Sequence, residues 1–311
     1  MSKPDLSVNI CGVEFKNPVI AASGCFGFGR EYAWYYDLSL LGGIAAKGLT
    51  PERREGNAPP RIAETASGML NSVGLQNPGI DAFLEEELPY MKTLGTRIIA
   101  NIAGKTQEEY MTMARKLRNS GVDMIELNIS CPNVKEGGVA FGAKPESIYR
   151  IVNAVKPHCA QPLMVKLSPN TADIAEAAQA AEAGGADAIS LINTLTGMAV
   201  DLERRRPVLA NVTGGLSGPA IKPVALRMVW QAARAVKIPV VGMGGIMTGQ
   251  DAVEFLMVGA SAVEVGTANL IDPMACLNII DGIGRYMGYH DVLDIKELVG
   301  SIQLAQRMNH E

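Results

Sequence analysis

One rhythm constrains this chain more than any other feature. Short apolar runs, each closing on a polar residue or glycine, alternate with longer stretches of helical spacing. The runs lie near residues 19–22, 44–46, 98–101, 124–128, 163–166, 188–192, 240–243 and 262–265. Between them, residues 106–119 and 171–183 read most clearly as helices. Each opens on a threonine (Thr106, Thr171) that can cap free backbone N–H groups, and each closes on a glycine (Gly121, Gly184). Strand–helix alternation predicts a parallel sheet covered by helices, and eight such units predict a closed (β/α)8 TIM barrel in which residues 1–311 form one domain. A doubly wound open sheet is the alternative, because closure is not written in the sequence.

Composition agrees with that architecture. The chain has 311 residues, of which 48% are hydrophobic and only 5% aromatic, which suits buried parallel strands built from small and branched side chains. A net charge of −4 with scattered lysines and arginines leaves no basic stripe for nucleic acid. No run of about 18 apolar residues suggests a membrane span, and residues 1–5 lack the apolar core of a signal peptide. The cysteines Cys11, Cys25, Cys131, Cys159 and Cys276 are odd in number, irregularly spaced and free of any C-x-x-C. That spacing argues against disulfides, zinc or an iron–sulfur cluster in this chain and points to a reducing, cytoplasmic setting.

The strand exits carry the functional signal. In chain order they present Ser23, Lys47, Asn101, Asn128, Lys166, Asn193, Gly244-Gly245 and Gly266-Thr267. A polar residue ending a strand is ordinarily a turn former, yet in a barrel all these positions converge on the rim where active sites are built. The last two exits read Gly242-Met243-Gly244-Gly245 and Val265-Gly266-Thr267, and Ser217-Gly218-Pro219 opens the helix before them. Glycine lets backbone N–H groups approach a phosphate, although tight barrel turns need glycine as well. A dinucleotide fingerprint is absent, because Gly242-x-Gly244-x-x continues with Met247. Lys166 ends the apolar run Pro162-Leu163-Met164-Val165, so a cation at the barrel mouth is expected to need an anionic partner; Lys47 is placed similarly. A lone cysteine is more often a small core residue, but the asparagines and Pro132 around Cys131 and the Gly137-Gly138 that follows are expected to place it in an exposed loop, as a base or nucleophile requires. Residues 50–76 and 195–216 are too long for simple connectors and read as binding loops or interfaces; Arg204, Arg205 and Arg206 within the second read as a solvated or subunit-facing surface.

Six segments together resemble the dihydroorotate dehydrogenase family: residues 17–24 (NPVIAASG), 54–61 (REGNAPPR), 70–79 (LNSVGLQNPG), 126–133 (ELNISCPN), 165–170 (VKLSPN) and 214–223 (GGLSGPAIKP). The resemblance implies FMN-dependent oxidation of dihydroorotate to orotate in pyrimidine synthesis. It implies Cys131 as the base and Lys47, Asn71, Gly74, Leu75, Asn128, Asn133, Asn193 and Thr194 as substrate ligands. It implies Ser23, Lys47, Gly48, Asn101, Asn128, Lys166, Ile192, Gly218, Gly244, Gly245, Gly266 and Thr267 as FMN ligands, with no metal in this chain. Residues 23–29 (SGCFGFG) and 193–202 (NTLTGMAVDL) are similar to the NAD-linked class. In that class the catalytic chain works with an iron–sulfur flavoprotein subunit carrying FAD and a [2Fe–2S] cluster, as a heterotetramer of two chains of each kind. The fumarate-using class, the related domain of dihydropyrimidine dehydrogenase and a non-enzymatic phosphate-binding barrel are the competing readings. Residues 32–36, rich in tyrosine and tryptophan, are a candidate for part of a partner interface, although packing of a helix on the barrel explains them equally well.

Overall fold

A computed structural model describes residues 4–130, 142 and 144–304 of the chain. Eight parallel strands close into a barrel. They are β1 (Val19–Ala21), β2 (Gly43–Ala45), β3 (Arg97–Ile102), β4 (Met124–Asn128), β5 (Leu163–Lys166), β6 (Ala188–Leu191), β7 (Val240–Met243) and β8 (Ala262–Val265). Each pairs with the next in chain order, and β8 returns to β1 with Val263 opposite Val19 and Val265 opposite Ala21. That last pairing excludes the open doubly wound sheet. Observed strand ends differ from the sequence reading by a residue or two, the usual play at element termini.

Helices on the outside bury one stripe each against the barrel. In α1 (Gln107–Leu117) the buried side chains are Tyr110, Met113, Ala114 and Leu117; in α2 (Pro145–Val155) they are Ile148, Ile151, Val152 and Val155. The same three- and four-residue spacing recurs in α3 (Ile174–Ala183) and α4 (Lys222–Ala235), while α5 (Gly249–Met257) and α6 (Ala275–Tyr289) complete the outer layer. Thr106 caps α1 as expected, accepting from the Glu109 N–H. Thr171 does not cap α3: Asp173 does, accepting from the N–H groups of Ala175 and Glu176, and the helix starts at Ile174. A carboxylate two residues nearer the apolar stripe competes better for those donors than the threonine hydroxyl.

The two long segments are not loops. Parts of residues 50–76 and 195–216 meet in a four-stranded antiparallel sheet, ordered Leu195–Met198, Thr213–Ser217, Gly68–Asn71 and Ile62–Thr65. Leu216 pairs with Leu195 on one side and Leu70 on the other. The excursions after β2 and β6 thus satisfy each other's backbone groups beside the barrel mouth. A hairpin of Val8–Ile10 and Val13–Phe15 lies at the opposite end, where Arg97 at the start of β3 donates to the Glu14 carbonyl at 2.7 Å. Among the described residues no helix is long and apolar enough to cross a membrane.

Candidate active site

A cavity of about 270 Å³ opens at the C-terminal rim of the barrel. Its walls come from the strand exits: Ser23 and Gly24 after β1, Lys47 and Gly48 after β2, Asn128 at the end of β4, and Lys166 at the end of β5. Ile192, Asn193 and Thr194 follow β6, Gly244 and Gly245 follow β7, and Gly266 and Thr267 follow β8. From the four-stranded sheet and its flanks come Asn71, Gly74, Leu75, Ser217 and Gly218. Seven of the eight strand exits, separated by up to 244 residues of sequence from Ser23 to Thr267, therefore share one space.

Asn101 departs from this pattern. β3 continues to Ile102, so Asn101 lies within the strand, fully buried, and does not line the cavity. Its amide donates to Glu126 and its carbonyl accepts from Asn128 at 3.4 Å. It supports the wall rather than forming it. Cys131 and Asn133 lie outside the described residues. The last described residue before them, Ser130, is fixed on both sides: its hydroxyl donates to Asn128 Oδ1 at 3.0 Å and accepts from Asn193 Nδ2 at 2.8 Å. The Tyr110 hydroxyl donates to the Asn128 carbonyl at 2.8 Å, tying α1 to the same strand exit.

Lys166 finds its anionic partners inside the chain. Its Nζ lies 3.2 Å from Glu264 Oε2 and 3.6 Å from Glu126 Oε2, and both glutamate side chains are fully buried. Burial by itself would lower the lysine's pKa, but the two carboxylates overcome it and hold the ammonium charged, with its pKa above the ordinary value. Burial works against the charge of Glu126 too. Lys166 first, then the neighbouring Glu264 carboxyl, with donors from Ser190 (2.7 Å) and Asn101, reverse that and hold Glu126 below the usual carboxylate range. Glu264 goes the other way. Burial first, and the charge of Glu126 second, push its pKa up to about 8 against the pull of Lys166. Neither glutamate was picked out by the strand-exit pattern. Each was visible as a charged residue inside an otherwise apolar strand, Met124–Asn128 and Ala262–Val265, where an ion needs a partner.

The glycines at the far wall are required by space. Gly245 has φ +77°, and a Cβ there would sit 2.7 Å from the Lys222 nitrogen and 2.9 Å from the Gly218 carbonyl. Gly244, at φ +121°, would place a Cβ 2.8 Å from Ala225. Backbone is thus laid bare where the two turns approach Gly218, and Thr267 Oγ1 donates to Ser217 Oγ at 2.9 Å across the same corner. Such a cradle suits a phosphate, and the Lys166 floor with the asparagine wall suits a planar ring carrying both amide groups and negative charge.

The aromatic segment at 32–36 divides between two environments. Tyr32 stacks on Phe26 at 3.8 Å and its hydroxyl donates to the carbonyls of Cys25 and Asn269, whereas Trp34 is 90% and Tyr35 60% exposed. Arg204 and its neighbours are exposed, with Arg204 paired to Asp201 at 3.2 Å.

Comparison with known proteins places relatives along nearly the whole chain. A family model described as dihydroorotate dehydrogenase matches residues 5–287. A protein of Alkaliphilus metalliredigens named dihydroorotate dehydrogenase B (NAD(+)), catalytic subunit, is 58% identical over 302 residues, spanning 97% of this chain and 100% of that protein. Proteins of the same name from Geotalea uraniireducens and Geobacter sulfurreducens are each 55% identical, over 303 and 305 residues; these cover 97% and 98% of this chain and 99% and 100% of theirs.

Proposed function

The chain belongs to the dihydroorotate dehydrogenase family, and we propose that it is the catalytic subunit of an NAD-linked enzyme oxidising dihydroorotate to orotate for pyrimidine synthesis. The observation that carries this reading is the convergence in one cavity of two lysines, three asparagines and the paired glycine turns, drawn from all parts of the chain. FMN is the cofactor the cavity fits. Gly218, Gly244, Gly245, Gly266 and Thr267 would hold its phosphate, and Ser23, Gly48, Ile192 and Lys166 would hold its ring. When bound, FMN supplies the two-electron acceptor for the C6–H bond of dihydroorotate.

The chain's own residues then divide the remaining work. Lys47 answers the substrate carboxylate. Asn71, Asn128, Asn193 and Thr194, with Asn133, read the ring N–H and C=O groups without adding charge, while Gly74 and Leu75 shape the wall. Cys131 takes the C5 proton. The hydrogen bonds of Ser130 to Asn128 and Asn193 fix the residue that precedes Cys131 in sequence to the substrate wall. Excluding water from this space strengthens each of these interactions.

Onward transfer to NAD needs a second subunit, which we infer carries FAD and a [2Fe–2S] cluster in a heterotetramer of two catalytic and two partner chains. Support comes from the words "catalytic subunit" in the relatives' names and from the missing dinucleotide fingerprint. A cytoplasmic setting is part of the same reading, supported by the free thiols of Cys11, Cys25, Cys159 and Cys276. The test is anaerobic addition of dihydroorotate to the purified chain, followed by NAD or fumarate as sole acceptor. The visible flavin band should bleach, NAD should restore it slowly without the partner and rapidly with it. Rapid turnover with fumarate would move the chain to the other soluble class, and no bleaching would refute the activity.

A further inference from the structure

The Glu126–Lys166–Glu264 cluster contains two carboxylates and one ammonium, all removed from water. Fully ionised it carries a net negative charge inside the barrel, a state that is costly in a low-dielectric interior. One proton removes the excess, and the hydrogen bonds decide where that proton goes. Both oxygens of Glu126 are occupied as acceptors, Oε1 by the Ser190 hydroxyl and Oε2 by Asn101 with Lys166 beyond it. Glu264 accepts from Lys166 through Oε2, whereas its buried Oε1 has no hydrogen-bond partner among the described residues. Donors stabilise an ionised carboxylate, so the proton belongs on Glu264. Glu264 also borders the cavity, and Glu126 does not.

We propose that Glu264 is a proton-exchanging positioning residue beneath the flavin ring, binding a proton from water when negative charge arrives above Lys166 and releasing it when that charge departs. This rests on the flavin reading of the cavity. The two electrons come from the C6–H bond of dihydroorotate, as in the family's reaction. The only bond the cluster makes is the O–H bond on Glu264, no electron passes to the glutamate, and the proton returns to water on reoxidation. The exchange keeps the summed charge of ring and floor nearly constant across the catalytic cycle, so Lys166 remains available to the ring instead of being shared with two full carboxylates.

Among the described residues, the groups facing Glu264 are few. Lys166 reaches it from β5 and Glu126 from β4. Cys25, past β1, adds a thiol that burial keeps neutral, and Lys47, past β2, acts on that thiol from the same cavity. The residues paired with Glu264 along its own strand, Ile20 on β1 and Met243 on β7, do not titrate. With Glu264 poised at about 8 before negative charge enters, the exchange falls in the alkaline range: below it the group is an acid throughout, and above it the added charge draws the proton in.

The experiment is dye-mediated redox titration of the flavin-loaded protein across neutral and alkaline pH, comparing wild type with Glu264→Gln. The readout is the number of protons bound per two electrons, taken from the slope of the midpoint potential. Wild type should change from one proton to two above about pH 8, and Glu264→Gln should bind one throughout. Infrared difference spectra of wild type, recorded on photoreduction at alkaline pH, should show a carboxylic-acid carbonyl band appearing as carboxylate bands disappear, which tests the idea even if the variant fails to fold. Equal slopes in the two proteins, or no carboxylic-acid band in wild type, would overturn the proposal. A colourless chain that binds no FMN would overturn the flavin reading beneath it instead.

Discussion

Replacing Lys166 by methionine keeps most of the side-chain volume and deletes the charge that two buried glutamates share. At neutral pH the proton on Glu264 leaves one carboxylate, Glu126, without its cation, although Ser190 and Asn101 still donate to it. Breaking a buried pair in this way costs about 3–5 kcal/mol, and the surviving donors favour the lower end. For a chain of this length about 3 kcal/mol corresponds to roughly 5 °C in Tm. The flavin-free chain is the right material, because loss of a stabilising ligand would otherwise add to the deficit. The sign of the pH dependence follows from Glu126. In wild type its folded-state pKa is depressed below the ordinary carboxylate value, so it contributes stability that is present above that value and lost as pH falls through the folded pKa. In the variant, burial without the cation raises its pKa. The contribution reverses and is lost as pH rises through that raised value. The gap between the two proteins should be wide at neutral pH and narrow in acid. Urea unfolding followed by circular dichroism at several pH values measures it. A variant as stable as wild type at neutral pH, or a deficit that does not change toward acid, would refute the assignment of Lys166 as the counter-ion of a buried carboxylate.

Three further outcomes test the site. Gly245→Ala should yield a folded chain that purifies with little flavin, because a Cβ at φ +77° would press on the Lys222 nitrogen and the Gly218 carbonyl; the ratio of flavin to protein absorbance reads this directly. Asn71→Ala should weaken orotate binding about tenfold, close to 1.4 kcal/mol for one lost buried hydrogen bond, and calorimetry giving an unchanged affinity would make Asn71 merely part of the sheet with Gly215. Cys131→Ala should retain flavin while anaerobic stopped-flow shows its reduction slowed by roughly 10²–10⁴, the range for loss of a positioned base; near-normal reduction at neutral pH would remove the thiol from the mechanism.

Local chemistry made much of this protein legible from its residues in order. The strand positions followed from apolar runs, and the first clear helix from a threonine cap at Thr106 and a closing glycine at Gly121. The rim residues Lys47, Asn128, Lys166 and Asn193 followed from their place at the strand ends. All of these depend on neighbours a few residues away, and such neighbours are printed side by side in a sequence. What required the tertiary structure was the choice of distant partners. Residues 50–76 and 195–216 each fold back on themselves as one antiparallel pair, and the two pairs become a single four-stranded sheet only when barrel closure brings Leu70 opposite Leu216. Asn101 looks like a rim ligand until β3 is seen to run past it. Glu126, Lys166 and Glu264 each appear as an isolated charge in an apolar strand, and their protonation is undetermined by any of them separately. Only a closed barrel, in which β4, β5 and β8 point side chains into the same interior, makes one lysine answer two carboxylates and leaves one buried oxygen of Glu264 without a hydrogen-bond partner among the described residues.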